Sequence, residues 1–167
     1  AMIISKTHYN PQLKEILPAV SSNEYRESAL RALTALRQRW ATYKPQAPDV
    51  ADFVDECLGV LTNQSEQFVG AGLVASHNDI CNANWLLTPE NRFYLIDLES
   101  MALEDPACDV GALLWWYYPP RLRPRFLEIA GYAYDPQFEL RMRVRMAIHA
   151  LSITLPRAKS FDQFDPN

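Results

Sequence analysis

The chain has 167 residues, 49% of them hydrophobic, with 16 basic and 20 acidic side chains and a formal net charge of −4. This length predicts a single domain over residues 1–167, the hydrophobic content excludes global disorder, and the lack of a basic excess argues against a nucleic-acid-binding protein. No apolar run reaches the roughly 18 residues of a membrane-spanning helix. Three cysteines without disulfide or zinc spacing favour a reducing compartment, so we expect a cytoplasmic protein.

The N-terminal third of the chain is predicted to be helical. Prolines bracket a short first segment over residues 11–18. Ser21 and Glu24 have the spacing of a capping box, which predicts a helix that runs to just before Pro45. A second helix is predicted to begin at Pro48, and the acidic residues at its start are interpreted as a solvated face.

The middle of the chain changes to strand-like patterning after a glycine-rich break. Residues 73–76 form a short apolar run that predicts one strand. Two further runs, 84–87 and 93–96, are joined by the turn-forming residues 88–91. This pair is predicted to form a β-hairpin.

Three helices are predicted in the remainder. Asp105 followed by Pro106 is typical of a helix start, and this very apolar helix is expected to reach Tyr118. Another helix is predicted over 121–132. The last segment is ambiguous, because residues 138–146 alternate apolar and basic as a strand would, yet also carry a helical stripe. We predict a helix there, chiefly because of the family resemblance given below.

The most informative pattern lies on the loop before the hairpin and at the end of the hairpin. His77 and Asp79 form a His-x-Asp sequence, Asn84 follows five residues after the aspartate, and Asp97 ends the second strand. This pattern resembles the catalytic loop and metal-binding motif of the aminoglycoside phosphotransferase and choline kinase superfamily. The resemblance implies a mainly helical α+β fold, equivalent to a protein-kinase-like C-terminal lobe whose small β-hairpin carries the metal site.

The resemblance also implies roles for these residues in phosphoryl transfer. Asp79 would act as the catalytic base that accepts or orients the acceptor hydroxyl, while Asn84 and Asp97 would bind Mg²⁺ through hard oxygen ligands. His77 would give structural support to the loop. ATP and Mg²⁺ are the implied cofactors, both expected only with the complete protein.

A second part of the resemblance follows the hairpin. Residues 104–110 resemble the Asp-Pro-x-x-Asp sequence that follows the metal aspartate in related bacterial kinases. Asp105 would cap the next helix and Asp109 would brace the catalytic loop from below. Both are implied to be structural supports.

The acceptor is predicted to be a small alcohol that carries positive charge, of aminoglycoside, choline or ethanolamine type. Residues 45–120 hold twelve acidic residues and one basic residue, which favours a cation. Glu99 would offer a carboxylate beyond the metal site. Aromatic faces bind ammonium groups, so Trp115, Trp116 and Tyr118 are candidates for the substrate wall. The alternative for these aromatics is the helix core.

Parts of a complete kinase are missing from the sequence. We find no glycine-rich loop and no lysine on a strand upstream of a glutamate-bearing helix, the parts that hold ATP phosphates in kinases. We therefore expect the N-terminal ATP-binding lobe to be absent and the chain alone to be inactive. Surface that this lobe normally covers would then be exposed beside the catalytic loop, filled by a homodimer contact or by the tail over residues 160–167.

Two other functions remain open at this point. One is a non-catalytic kinase-like interaction domain, against which the intact Asp79, Asn84 and Asp97 count. The other is a metal-dependent hydrolase that uses His77, Asp79 and Asp97. It would need more histidine ligands, and the only other histidines, His8 and His149, have no supporting spacing.

Overall fold

The computed structural model describes residues 1–133 and 135–156. Helices dominate this part of the chain, and short 3₁₀ turns join several of them. The α-helices in chain order are α1 (Met2–His8), α2 (Pro11–Ile16), α3 (Tyr25–Tyr43), α4 (Ala51–Ser65), α5 (Ala107–Trp116), α6 (Arg123–Ala130) and α7 (Pro136–Thr154). None of them is both long and apolar enough to cross a membrane.

Four short strands form two antiparallel pairs. Strand β1 (Val74–Ser76) pairs with β4 (Ala102–Glu104), and β2 (Trp85–Leu87) pairs with β3 (Phe93–Leu95). The predicted hairpin is confirmed, as is the first predicted strand. Strand β4 was not predicted, because its register is set by contacts with β1, from which it is separated in sequence by a loop and the hairpin, and not by its own short sequence.

Three helix starts differ from the sequence predictions, and the first is that of α4, which begins at Ala51 after a 3₁₀ turn over Pro48–Val50. The capping box is wrong, because α3 begins at Tyr25 without a side-chain cap and the hydroxyl of Ser22, not that of Ser21, accepts the Glu24 N–H. Helix α6 begins at Arg123, after a 3₁₀ turn, and ends before Gly131, whose φ of 77° lies in the left-handed region that glycine adopts without strain. The ends of these helices therefore depend on backbone geometry that spacing alone did not reveal.

The last predicted helix is confirmed as α7, and its structure explains the ambiguous pattern. The carboxylate of Asp135 accepts the Phe138 N–H and Pro136 follows it, which starts the helix. Arg141 and Arg145 lie four residues apart and both are buried. Two of the three basic residues that imitated the polar side of a strand therefore belong to the buried face of a helix, whereas Arg143, between them, is exposed.

The core consists of two apolar clusters that share α7. One cluster joins residues of α1, α5 and α6, and the other joins α3, α4 and α7. Helix α5 lies against α7, where Gly111 leaves room for the Met142 carbonyl and the Met146 side chain. The loop between β1 and β2 is supported from below by α5, so packing of α5 fixes the position of this loop.

Candidate functional site

The loop between β1 and β2 carries the first half of the candidate site. His77 is buried at its start, Asp79 is exposed, and a 3₁₀ turn over Asn82–Asn84 leads into the hairpin. Asn78 has a φ of 62°, in the left-handed region that asparagine tolerates better than most residues. Its side chain donates to the Ser100 carbonyl at 3.1 Å. The loop thus turns sharply at Asn78 and presents the next residue, Asp79, at the surface.

Asp79 and Asn84 are in direct contact. The side-chain amide of Asn84 donates to the Asp79 backbone carbonyl at 2.8 Å and to the Asp79 Oδ2 at 3.1 Å. Asn84 itself is buried. Because both donated bonds use the amide nitrogen, the amide oxygen of Asn84 is left as an acceptor.

The hairpin brings the second half of the site to the loop. The Ile96 N–H donates to the Asn84 carbonyl at 3.0 Å, which places the residue before Asp97 directly opposite Asn84. His77 Nε2 donates to the Ile96 carbonyl at 2.9 Å, and His77 Nδ1 accepts the Asp79 N–H at 3.3 Å. His77 therefore ties the backbone before Asp97 to the backbone of Asp79.

Asp97 has an unusual backbone and an unengaged side chain. Its φ is 64° and its ψ is 67°, so it lies in the left-handed region. Its carboxylate is exposed and has no hydrogen-bond or ionic partner in the part of the chain that the structure describes. Non-glycine residues held in this conformation are concentrated at functional sites.

These donor groups fit Mg²⁺ better than a softer metal. An amide oxygen on Asn84 and carboxylates on Asp79 and Asp97 are hard oxygen ligands, which Mg²⁺ prefers. Within residues 1–133 and 135–156, no group of three or more His, Cys, Asp or Glu side chains is arranged to hold a metal ion. The described residues therefore offer no set of metal ligands that would support a metal-dependent hydrolase. A Mg²⁺ ion that takes only one or two protein ligands and completes its shell with phosphates and water remains compatible.

Asp109, from the first turn of α5, lies beneath the loop. Its Oδ2 accepts the His77 N–H at 2.6 Å, and its Oδ1 accepts the Asn78 N–H at 2.9 Å. His8 Nε2 also donates to Oδ2, at 2.8 Å. Burial by itself would raise the pKa of Asp109, but the bonds from His8 and the loop N–H groups outweigh it and hold the pKa below its ordinary value. Asp109 is therefore an ionised carboxylate fixed by three donors.

Asp105 anchors the start of α5 from a buried position. Its Oδ1 accepts the Ala107 N–H at 2.9 Å, which is the bond that a helix cap at Asp105 would make, although the regular helix begins at Ala107 with Pro106 as its formal cap. Its Oδ2 accepts from Arg141 Nε at 3.0 Å, and Arg145 Nε lies 4.0 Å away. Two arginines of α7 thus compensate one buried carboxylate.

Arg145 extends this ion network towards the site. Its Nη2 lies 3.2 Å from Glu104 Oε2 and also donates to the Ser28 hydroxyl, which in turn donates to Glu104. Burial lowers the pKa of Arg145, but the neighbouring Cys108 and carboxylates Glu104 and Asp105 outweigh it and raise the pKa above its ordinary value. The guanidinium is therefore a permanent positive charge in the wall between α3, α5 and α7.

A cavity of about 430 Å³ opens next to Asp79. Glu104 and Arg145 supply charged groups to its wall, and Trp116 and Tyr117 supply aromatic groups. The volume is within the usual range for small-molecule sites. Its other lining residues come from the loop between β1 and β2, α3, α5 and α7: Ala32, Asn78, Ile80, Cys81, Cys108, Asp109, Ala112, Ile148, His149, Ser152 and Ile153.

The aromatic residues that were predicted to contact the substrate lie in different environments. Trp116 lines the cavity, whereas Trp115 is exposed with the Arg123 guanidinium 5.4 Å from its ring centre. Tyr118 packs edge-on against Phe126 at 5.0 Å, as part of the core margin. Helix α5 ends at Trp116 instead of Tyr118, so Tyr117 takes the cavity position that the sequence analysis gave to Tyr118.

Glu99 lies on the short turn after Asp97 and is exposed. It is not among the cavity-lining residues of the described chain. Besides Asp79 and Asp109, the cavity is lined by the carboxylate of Glu104, from β4. Sequence reasoning did not consider Glu104 for this position because β4 was not predicted.

The hairpin carries a patch of exposed apolar side chains around Asp97. We call this patch the hairpin surface. Its six members are between 43% and 57% exposed: Leu86, Leu87, Phe93, Tyr94, Ile96 and Leu98. Leu86 pairs with Tyr94 and Leu87 pairs with Phe93, so apolar side chains are exposed on both faces of the hairpin. Exposed apolar surface of this kind is a candidate interaction site.

Several residues around the site had no sequence signal strong enough to find them. His8 and Tyr132 are distant in sequence from the loop they help to hold, and no spacing links them. Arg141 and Arg145 did carry a signal, since two arginines four residues apart interrupt an apolar stripe. If the segment is a helix, these arginines lie on its buried face and require acidic partners, which Asp105 and Glu104 provide.

Comparison with known proteins gives a family match and partial structural matches. A family model described as a phosphotransferase enzyme family matches residues 7–147. Two solved structures match 90% of the chain with TM-scores of 0.48, the choline kinase LicA from Streptococcus pneumoniae at 18% identity and LicA in complex with AMP at 16% identity. The chain spans about half the length of these proteins, covering 51% and 50% of them.

Proposed function

The chain belongs to the phosphotransferase enzyme family that its catalytic-loop sequence predicted, and on that basis we propose that it transfers a phosphoryl group from a nucleotide to the hydroxyl of a small molecule. The observation that carries this proposal is that Asn84 contacts Asp79 and also pairs with Ile96, so the loop that lines a cavity through Asp79 is joined to the end of the hairpin. Phosphoryl transfer depends chiefly on positioning and electrostatic stabilisation, which such an arrangement supplies.

Asp79 is proposed as the catalytic base. Its carboxylate is exposed at the cavity and its Oδ2 is oriented by the Asn84 amide. A hydroxyl group held in the cavity would donate to this carboxylate and lose its proton to it as the hydroxyl oxygen bonds to the γ-phosphorus and the bond from that phosphorus to the departing nucleoside diphosphate breaks. His77 acts through the backbone, because both of its ring nitrogens are engaged with the loop and the hairpin.

Asn84 and Asp97 are proposed as the ligands of Mg²⁺. Their oxygens are hard donors, and neither the Asn84 amide oxygen nor the Asp97 carboxylate has a partner among the described residues. When bound, Mg²⁺ would neutralise charge on the nucleotide phosphates. The left-handed backbone of Asp97 holds its side chain at the end of the hairpin independently of any ligand.

The acceptor is proposed to be a small cationic alcohol, such as choline, ethanolamine or an aminoglycoside. The cavity wall combines the Glu104 carboxylate with the aromatic rings of Trp116 and Tyr117. An ammonium group against an aromatic ring gains about 0.5 to 2 kcal/mol, depending on desolvation. The permanent charge of Arg145 offsets part of this attraction, so the aromatic rings carry most of the argument.

The nucleotide would need further protein to hold it. The described residues contain only two-stranded sheets, and no multi-stranded sheet that could cover nucleotide phosphates. The hairpin surface lies beside Asp97, where such a covering lobe would pack. We therefore propose that residues 1–167 supply the catalytic-loop side of the site and turn over ATP inefficiently alone.

A second candidate is a non-catalytic kinase-like domain that binds a protein partner. The observation that favours it is the hairpin surface, which is exposed and apolar. The carboxylates of Asp79 and Asp97 would then be free to change without loss of function.

The test is a phosphotransfer assay with the natural protein that carries this sequence. Radiolabelled ATP is offered with choline, ethanolamine, an aminoglycoside or a neutral sugar alcohol. We expect Mg²⁺-dependent labelling of a cationic acceptor, and Asp79→Asn should reduce it by about 10² to 10⁴. Asp49→Asn, a change of an exposed acid near α4, is the matched control and should have no effect. No labelling of any acceptor, or equal rates in Asp79→Asn and wild type, would overturn the proposal. Preferred labelling of the sugar alcohol would refute the cationic acceptor alone.

A further inference from the structure

His8 is the buried residue least explained by the proposed function. It lies at the end of α1, has no exposed surface, and uses both ring nitrogens. Nε2 lies 2.8 Å from Asp109 Oδ2, and Nδ1 contacts the Tyr132 hydroxyl. The Asp109 carboxylate can only accept, so Nε2 carries the proton of that bond, and in this tautomer Nδ1 accepts from the Tyr132 hydroxyl, whose pKa is raised chiefly by burial. His8 then presents Nε2–H to Asp109.

The bond from His8 affects how the Asp109 carboxylate is oriented. Oδ2 receives both His8 Nε2 and the His77 N–H, while Oδ1 receives the Asn78 N–H. Donors on both oxygens fix the carboxylate plane. The His8 bond is the only one of these three that comes from outside the loop, so it sets that plane independently of the loop.

The backbone that Asp109 holds leads directly to Asp79. Asn78 is in the left-handed conformation, and the Asp79 N–H donates to the ring of His77. The same ring donates to the carbonyl before Asp97. A change in the plane of Asp109 would therefore be passed to the backbone of both proposed functional carboxylates.

We propose that His8 is a positioning residue, which holds the catalytic loop in place by fixing the Asp109 carboxylate. The catalytic meaning of that loop rests on the proposed function, whereas the effect of His8 on the loop backbone does not. The competing role is that of a space-filling core residue, since His8 also packs edge-on against Tyr132 at 6.0 Å. A positioning residue needs the Nε2–H donor to hold Asp109, whereas a space-filling residue needs only the volume of the ring.

The experiment compares His8→Leu with His8→Gln. Leucine keeps an apolar side chain and removes the donor, while the glutamine amide can reach the position of Nε2. The first measurement, on this chain, is the amide proton shift and hydrogen-exchange rate of His77 and Asn78 by NMR. In His8→Leu we expect both resonances to move upfield and exchange to accelerate about tenfold or more, and in His8→Gln we expect values near wild type.

The second measurement is phosphotransfer by the natural protein. His8→Leu should lower kcat about 10- to 100-fold with little change in KM for either substrate, because binding groups stay in place while Asp79 loses its alignment. His8→Gln should recover most of the loss. If the wild type shows no phosphotransfer, the proposed function fails while the NMR measurement still decides the role of His8.

Unchanged amide resonances in a folded His8→Leu protein would overturn the proposal and leave His8 as a core residue. A His8→Gln protein as perturbed as His8→Leu would also overturn it. Should His8→Leu not fold, Tyr132→Phe provides the test, because it removes only the hydroxyl that orients the His8 ring. Both loop amides should then shift in the same direction by a smaller amount, and no shift would contradict the proposal.

Discussion

The underside of the loop between β1 and β2 and the hairpin next to it are built in opposite ways. Beneath the loop, the carboxylates of Asp105 and Asp109 are buried and held by arginine, histidine and backbone donors. On the hairpin, Asp97 is exposed without a partner among the described residues and is surrounded by half-exposed apolar side chains. One side of the site is complete within these residues, while the other has the properties of a surface that binds something else.

The largest expected effect is on the buried side. Arg141→Met removes the closest cation from the buried Asp105 carboxylate and leaves Arg145 at 4.0 Å. Breaking a buried ion pair in this way should lower the free energy of unfolding by about 3–5 kcal/mol. Arg143→Met is the matched control on the same helix, because Arg143 forms only an exposed i,i+4 pair with Glu139. The control should cost about 0.5 kcal/mol or less in urea unfolding. Equal losses in the free energy of unfolding for the two variants would contradict a stabilising role of the buried ion pair between Arg141 and Asp105.

The next prediction concerns the contribution of Asp109 to the free energy of unfolding and how that contribution depends on pH. Asp109→Asn should lower the free energy of unfolding by about 1–3 kcal/mol at pH 7, because the amide cannot accept all three donors. The pKa of Asp109 is lowered in the folded state, so its contribution is complete above the ordinary carboxyl pKa of about 4. It is lost as the pH falls through the lower folded value. The difference between wild type and variant should therefore shrink below about pH 4. A difference that stays constant down to pH 2 would rule out this role.

A smaller effect should separate two adjacent tryptophans. Trp116 lines the cavity and Trp115 does not, although both are about half exposed. Trp116→Ala should lower kcat/KM for a cationic acceptor by about 2- to 30-fold, which corresponds to about 0.5–2 kcal/mol of cation–π attraction. Trp115→Ala should stay within about twofold of wild type. Equal losses of kcat/KM in the two variants would contradict the proposal that Trp116 binds the cationic acceptor.

The smallest effect on stability is expected at the hairpin surface. Phe93→Ser should change the free energy of unfolding by less than about 0.5 kcal/mol, since the side chain is 57% exposed. The same change should weaken self-association of the isolated chain, which we propose occurs through this surface. Ile16→Ser, on α2 and still more exposed, is the control and should leave association unchanged. Sedimentation velocity over a range of concentrations measures this, and a wild-type chain that is monomeric throughout would refute the dimer.

The sequence predicted the parts of the site that are close together in the chain. Asp79, Asn84 and the hairpin follow one another with a spacing that local turns explain, so their meeting could be foreseen. The prediction of a helix for residues 138–151 was also confirmed, in spite of its strand-like alternation.

The missed features depend on contacts between distant segments. Strand β4 exists because β1 lies beside it, and His8 meets Asp109 across 101 positions of sequence. The helix boundary at Trp116 decided which tyrosine lines the cavity, and helix ends are set by capping that spacing predicts poorly. The family could be recognised because the residues of its motif lie close together in the sequence. The residues that support the motif, such as His8, are far from it in the sequence and could not be found in this way.

We propose that Asn84 and Asp97 form the Mg²⁺–nucleotide side of a phosphotransfer site, with Asp79 as the base in contact with Asn84. The most direct measurement is an amide NMR titration of this chain with a non-hydrolysable ATP analogue, with and without Mg²⁺. The account predicts weak binding that requires both components, with shifts concentrated at residues 77–84 and 94–99, and loss of the response in Asp97→Asn. Shifts that arise elsewhere, that do not need Mg²⁺, or that persist in Asp97→Asn would contradict it.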